Sequence, residues 1–240
     1  MNFSRIFAKE RDRPALFRPY YSGGLIVTGN LSSTTEQLLA DARAGSTESL
    51  GRLLQAYGNY LRILAVSQFQ RQLRTRVSPS DVVQETFCEA HRDFGQFRGL
   101  TIGEFLGWLR RILVNNLHRA VEQHLAAEKR TVRREVSVQK LAASLEQSTV
   151  RLEAVLPDPG RSPSACLEQE ELQLQLANAL AALPADYRDV IMLRHMEALS
   201  FEKIGRRIGR TSGAARMLWL RAIKLLRQTM NRESSCNGEA

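Results

Sequence analysis

From Glu36 onward apolar residues return every three or four positions and almost nowhere alternate strictly, a pattern that predicts helices and no sheet. Leu50, Leu53, Leu54, Tyr57, Leu61 and Leu64 form one such stripe, with Ser46 or Thr47 before Glu48 as its start. The next segment, SPSDVVQETFCEAHRDF, predicts a helix capped by Ser78 with Pro79 in its first turn. Val83, Phe87, Ala90 and Phe94 then face inward, and Asp81, Gln84, Glu85 and Glu89 are left outside. After the loop GQFRGLTIG, the run EFLGWLRRILVNNLHRAVEQHLAAEKR buries Phe105, Leu109, Ile112 and Leu113. Trp108, Arg111, Asn115 and Arg119 share a different face of that helix.

The C-terminal stretch, Leu183 to Arg227, reads as three helices. Leu183, Tyr187, Val190 and Ile191 share one face, and Pro184 suits a first turn, where its missing N–H costs nothing. Ser200 is the expected N-cap of a short second helix whose inner face is Phe201, Ile204 and Ile208. Gly205 permits close approach of a neighbouring helix, and Gly209 supplies the left-handed residue that ends this one. In the last helix Ala215, Trp219, Ala222 and Leu226 recur on one side, leaving Arg210, Arg216, Arg221, Lys224 and Arg227 for the others. A short helix, a Gly turn and a basic long helix in this order spell a helix-turn-helix, whose second helix enters the major groove of DNA. Thr211, Ser212, Gly213 and Arg216 are the expected base-edge residues, Arg216 as a two-point donor to guanine. Arg210, Arg221 and Lys224 are the expected phosphate contacts. The bland alternative is a three-helix bundle with a solvated basic rim.

Between these blocks the composition shifts. VLPDPGRSPSA is rich in proline, and Glu146, Glu153, Asp158, Glu168, Glu170 and Glu171 make the surroundings acidic. The expected organisation is therefore an all-α fold of two small helical domains joined by a flexible linker, the C-terminal one a helix-turn-helix. A poorly ordered extension covers 1–35, a helical domain 36–135, the linker 136–166, the second domain 167–232 and a disordered tail 233–240.

Charge sharpens the picture. The 240 residues carry a net charge of +9, arginine supplying most of the cations, so a polyanionic partner is expected. The face with Trp108, Arg111, Asn115 and Arg119 has the ring, amides and cations that unpaired nucleic acid requires, although a tryptophan at such spacing is more often core. Lys129, Arg130, Arg133 and Arg134 add a basic cluster that is either a phosphate contact or a helix end favoured by its dipole. Cys88, Cys166 and Cys236 never form a CxxC pair, and His91, His118, His124 and His195 show no metal spacing, so free thiols and no metal or other cofactor are expected. No nucleophile elbow or Walker A loop is present, and nothing argues for an enzyme. With no apolar run long enough for a bilayer and no secretory core in MNFSRIFAKERDRP, no membrane insertion and a cytoplasmic location are expected.

Two all-α modules, one with DVVQETF, an FRG loop and FLGWLRRILVNN, the other with LPADYRDVIML and SFEKIGRRIG, together resemble the extracytoplasmic-function sigma factors of bacterial RNA polymerase. The resemblance covers roughly residues 36–230. It implies that the helix around Val82 to Phe94 docks on the clamp helices of the polymerase β′ subunit through Asp81, Gln84 and Glu85. It implies that Phe97 to Gly99 and the Trp108 to Arg119 helix melt the downstream promoter element and capture an unpaired non-template base, with Arg98, Asn115, Asn116 and Arg119 in that role. It implies, finally, that the C-terminal unit reads the upstream element as duplex. Core polymerase, including its β flap, promoter DNA and an anti-sigma protein are the partners so implied. The chain departs from the family in running Met217, Leu218, Trp219 and Leu220 together. Consecutive helical residues point about 100° apart, so the outward members of this run are expected under another surface, such as the flap, the first domain or an inhibitor.

The rival reading is a dimeric helix-turn-helix repressor or activator, with 36–135 as an effector or dimerisation domain. It predicts palindromic sites and no need for polymerase. A third, an RNA-binding scaffold using its arginines non-specifically, predicts no promoter preference. The SPSDVVQETF helix followed by the FRG loop is the feature an effector domain has no reason to carry.

Overall fold

Serine hydroxyls open most of the helices whose starts are clear. Ser46, Ser78, Ser137 and Ser200 each sit in extended backbone and accept a hydrogen bond from an amide two or three residues on. The structure, a computed structural model, describes residues 31–72, 78–127, 137–155 and 166–236, and its order is α1 (Leu31–Arg43), α2 (Thr47–Ala56), α3 (Gly58–Gln72), α4 (Pro79–Asp93), α5 (Ile102–Ala127), α6 (Val138–Glu153), α7 (Cys166–Ala182), α8 (Ala185–Ile191), α9 (Phe201–Ile208) and α10 (Ser212–Cys236). A 3₁₀ turn, Phe94–Gln96, follows α4, and a π-helical turn, Met192–Met196, extends α8. Among the described residues there is no strand.

The stripe predicted from Leu50 to Leu64 is two helices rather than one, α2 and α3, meeting at Tyr57. Tyr57 is 2% exposed and packs its ring on Phe105. Helix α3 is buried on most sides, with Tyr60, Leu61, Ile63, Leu64, Ala65 and Val66 all inside. It lies at the centre because α4, α5, α6 and α7 all pack against it. Burial pushes the Tyr57 hydroxyl well above the ordinary tyrosine range.

Three boundaries differ from expectation. Helix α1 starts at Leu31, inside the stretch 1–35 read as an extension, since Leu38, Leu39 and Ala42 give it an apolar side to lay against α2. The flexible linker expected over 136–166 is not what its described part contains, because 138–153 form α6. Leu141, Leu145 and Leu152 make a stripe along α6, continued by Val155 just past its end, all at most 2% exposed, and the helix packs on α3 and α5. Ser148 and Thr149 interrupt that stripe in sequence but are also buried. Their hydroxyls donate to the carbonyls of Ser144 and Leu145, and Gln68 Nε2 donates to Ser148 Oγ at 3.0 Å. At the C-terminus the backbone of α10 stays helical to Cys236, past the boundary at 232. Residues 1–30, the basic cluster of Lys129, Arg130, Arg133 and Arg134, the proline-rich run 156–165 and residues 237–240 lie outside the described residues.

Helix α7 joins the two blocks. Leu174, Leu176, Ala177, Ala179 and Leu180 are at most 2% exposed, and α7 packs on α1, α3 and α5 as well as on α10. Asn59 Nδ2 donates to Asn178 Oδ1 at 2.9 Å across the α3–α7 seam. Arg151 of α6 likewise donates to the carbonyl of Met196 in the π turn at 2.8 Å. The apolar core runs without a break from Leu38 to Met230.

Candidate nucleic-acid interface

The helix-turn-helix is built as its local sequence dictates. Ser200 caps α9, and Gly209, at φ 69° and ψ 34°, ends it in the left-handed conformation that only glycine adopts without cost. A Cβ on Gly205 would lie 2.7 Å from the carbonyl oxygen of Arg210, so a side chain there is excluded by the turn backbone itself. Thr211 then opens α10: its Oγ1 accepts from the amide of Ala214 at 3.2 Å, a capping role beyond the base contact expected of it. Ala215, Ala222 and Leu226 are fully buried, and Trp219 is partly so.

Trp219 locks the unit from inside. Its Nε1 donates to His195 Nε2 at 3.3 Å, the indole stacks on the imidazole, and its edge meets Phe201 with centroids 5.7 Å apart. Arg194 lies over the Phe201 ring, 4.8 Å from its centroid, and donates to the Leu199 carbonyl. Burial first, and then the Arg194 charge, hold His195 below the ordinary histidine range, which keeps its ring neutral and able to accept. Helical spacing places Trp219 in the core but says nothing of His195 as its partner. The Trp219–His195 contact has no local signal, because the partners are 24 positions apart.

Outward, α10 presents Gly213, Ala214, Arg216, Met217, Leu220, Arg221, Lys224 and Arg227, all exposed. No aspartate or glutamate occurs from 212 to 231. Of the predicted base-edge and phosphate residues, Thr211, Ser212, Gly213, Arg216, Arg221 and Lys224 are each exposed, and Arg210, in the turn before α10, is paired with Asp186 at 3.2 Å. Among the described residues Arg216, Arg221 and Lys224 make no ion pair. Arg206 and Arg207 of α9 are held by Glu202 and Glu197. Within the run singled out for its apolarity, Leu218 is buried and Trp219 half-buried, whereas Met217 and Leu220 remain 51% and 44% exposed.

A second polar surface lies on α5 and the loop before it. Thr101 and Glu104 form a capping box: the Glu104 carboxylate accepts from the amides of Leu100 and Thr101, and Thr101 Oγ1 accepts from the amide of Glu104. Those donors, the Leu100 amide first, hold the Glu104 carboxyl below its usual range. The TIGE sequence carries the local signature of this capping box. Beneath the loop Phe94, Phe97, Phe105 and Trp108 form one aromatic cluster, Phe97 to Trp108 being the closest pair at 5.3 Å. A Cβ on Gly99 would collide with the Phe97 ring and come within 2.8 Å of Glu104 Cβ, so FRG folds tightly back on the cluster. Trp108 is thus half-buried as the floor of this loop, while Arg98, Arg111 and Asn115 are exposed.

Two expectations on this surface need correction. Asn116 is 4% exposed, and its Nδ2 donates to Glu89 Oε2 at 3.2 Å and Thr86 Oγ1 at 3.3 Å. It faces α4 and is closed to a base. Glu89, expected outside, is 8% exposed because it receives both Asn116 and the Arg119 guanidinium. Arg119 keeps its outer side in solvent while closing this pair, and also donates to Asn116 Oδ1. The network ties α4 to α5. On the far side of α4, Asp81, Gln84, Glu85 and Cys88 form one exposed strip.

Comparison with known proteins agrees with this architecture. Residues 173–226 match the model of the family described as Sigma-70, region 4. The chain is 32% identical over 148 residues to the ECF RNA polymerase sigma-E factor of Escherichia coli (strain K12), covering 59% of this chain and 71% of that protein. It is 27% identical over 170 residues to the RNA polymerase sigma-H factor of Pseudomonas aeruginosa, covering 70% of this chain and 79% of the relative. With the ECF RNA polymerase sigma-E factor of Haemophilus influenzae it shares 26% over 193 residues, 80% of this chain and 93% of the other. Among the described residues no helix is long and apolar enough to cross a membrane.

Proposed function

The chain belongs to the extracytoplasmic-function sigma factors of RNA polymerase, and from that membership we propose that three of its exposed surfaces divide the work of promoter-specific initiation. Core RNA polymerase and promoter DNA are the partners the family carries. The acidic strip of Asp81, Gln84 and Glu85 on α4 docks on the β′ clamp helices, and the C-terminal unit reaches the β flap. Helix α10 reads the upstream element as duplex. Thr211, Ser212, Gly213 and Arg216 approach base edges, while Arg210, Arg221 and Lys224 neutralise phosphates. Arg98, Arg111 and Asn115, set over the floor made by Trp108, receive the unpaired non-template strand, with Arg119 at the margin. Asn116 acts behind them by orienting Arg119 and Glu89.

The observation that carries this reading is the acid-free exposed side of α10, from 212 to 231, mounted on a capped helix-turn-helix. Such a surface is attractive to a duplex at every phosphate and costs no like-charge repulsion. Opening the duplex is driven by binding. Extruding a base costs a few kcal/mol, and stacking on a guanidinium or ring returns about 1–3 kcal/mol per base, so a handful of contacts balances the cost without nucleotide hydrolysis. The chemistry of RNA synthesis stays with the polymerase.

The test is run-off transcription with core polymerase on a promoter library, with the protein and with an Asp81→Arg, Glu85→Arg double variant. Promoter-specific transcripts that depend on the protein and disappear with the variant are expected. Tight binding to palindromic duplex alone, with no polymerase-dependent transcript, would hand the function to a dimeric regulator.

A further inference from the structure

The exposed side of α10 contains one feature that phosphate binding does not use. Met217 and Leu220, two of the four large apolar side chains most exposed among the described residues, sit in its middle. At about 100° per residue, Gly213, Met217, Leu220 and Lys224 fall within roughly 60° of one another on the helix. Arg216 and Arg227 border this strip on one side and Arg221 on the other. Leu100 and Val150, the other two, lie on the loop before α5 and on α6, so the pair is not the edge of a wider apolar patch. Two side chains framed by four cations are too small a core for a protein interface, which buries about 800 Å² on each partner. They match a ligand that is anionic at its borders and apolar at its centre.

The major groove of duplex DNA is such a ligand, with phosphates along both walls and the thymine C5-methyl as the one apolar group on its floor. Met217 and Leu220 are separated by about 4.5 Å along the helix axis, comparable with the ~3.4 Å step between base pairs. Gly213 and Ala214, one turn before them, have almost no side chain to hold the helix away from the base edges.

We propose that Met217 and Leu220 are specificity-determining residues that read the methyl groups of two neighbouring thymines in the upstream promoter element. This deepens the function proposed above and rests on it. Arginine at 216 supplies the hydrogen-bonded part of the reading, and the apolar pair supplies discrimination for thymine over cytosine or uracil, which no cation on this helix can give.

The test replaces each thymine of the upstream element by deoxyuridine, one at a time, in a synthetic promoter that the holoenzyme transcribes. The substitution removes a methyl and leaves every hydrogen-bonding group in place. Loss of one buried methyl corresponds to about three- to fivefold in affinity. One or two positions should show that loss with the wild-type chain. Met217→Ala and Leu220→Ala should each abolish the sensitivity at one of them, with unchanged far-UV circular dichroism. Full indifference to deoxyuridine at every position, while transcription from that promoter persists, would overturn the methyl reading and leave the sigma function standing. Loss of core-polymerase binding by the two variants, with no position sensitive, would show a protein-docking role and overturn it equally. Absence of promoter-directed transcription with the wild-type chain would remove both proposals together.

Discussion

Gly205→Ala puts the helix-turn-helix packing to a test of sign. In the interior of α9 an alanine is intrinsically better than glycine by about 1 kcal/mol. Here the new Cβ would lie 2.7 Å from the Arg210 carbonyl oxygen, 3.0 Å from the Thr211 carbonyl carbon and 3.1 Å from the Ser212 amide nitrogen. All three are backbone atoms of the turn into α10, so no side chain can rotate aside and the turn itself must move. Overpacking of this kind costs about 1–3 kcal/mol, and three simultaneous contacts argue for the upper half of that range. After subtracting the helix preference, a net loss of about 1–2 kcal/mol is expected, a fall of roughly 2–8 °C in the unfolding midpoint for a chain of this size. Gly107→Ala is the matched control. It too is mid-helix, but its Cβ would meet nothing within 4 Å, so the same substitution should stabilise by about 0.5–1 kcal/mol. Thermal and urea unfolding followed by circular dichroism give both numbers, and promoter-duplex binding should weaken for Gly205→Ala alone. A Gly205→Ala chain as stable as wild type would refute the close approach of α9 to the turn.

Other outcomes follow from the same geometry. Glu89→Ala strips Asn116 and Arg119 of their shared acceptor and should cost about 1–3 kcal/mol in urea unfolding, with Glu89→Gln milder because it can still accept. Leu145→Ala in α6 should cost about 2–4 kcal/mol; no change would mean that 138–153 behave as a free tether. His195 contributes a pH dependence whose direction is fixed: its folded-state affinity for a proton lies below the ordinary 6.5, so as pH falls below that value the unfolded chain protonates first and stability is lost. Glu170 and Glu197, raised by burial, act in the opposite direction. The diagnostic is therefore the difference between wild type and His195→Gln, which should shrink as pH is lowered through this window.

What the sequence disclosed was what depends on neighbours within a few positions. Ser200, Gly205 and Gly209 fix a cap, an approach and a stop on one short helix, so the helix-turn-helix could be read directly, and Ser78 with Pro79 did the same for α4. Helix α6 escaped because Ser148 and Thr149 break its stripe and the proline-rich run beyond it suggested a linker. Burial of Ser148 is supported by α3, through Gln68, which lies 80 positions away, and Thr149 satisfies its hydroxyl on the Leu145 carbonyl within α6. Glu89 and Asn116 were misjudged for the same reason. Each is polar by itself, and only the crossing of α4 on α5 supplies the partner that allows it inside. Periodicity places Trp219 of the Met217 to Leu220 run inward and requires other members to face out, but it does not say which. The structure divides it, two residues inward and two outward.

The most direct measurement uses the complex of this chain with core polymerase and compares two DNA probes: the upstream element as duplex, and a fork whose downstream non-template strand is unpaired. Arg216→Ala should weaken binding to the duplex and leave the gain from the unpaired strand intact. Arg111→Ala with Asn115→Ala should leave the duplex unaffected and remove that gain. If both variants weaken only the duplex, or neither distinguishes the probes, the division of promoter recognition between α10 and the α5 face is wrong.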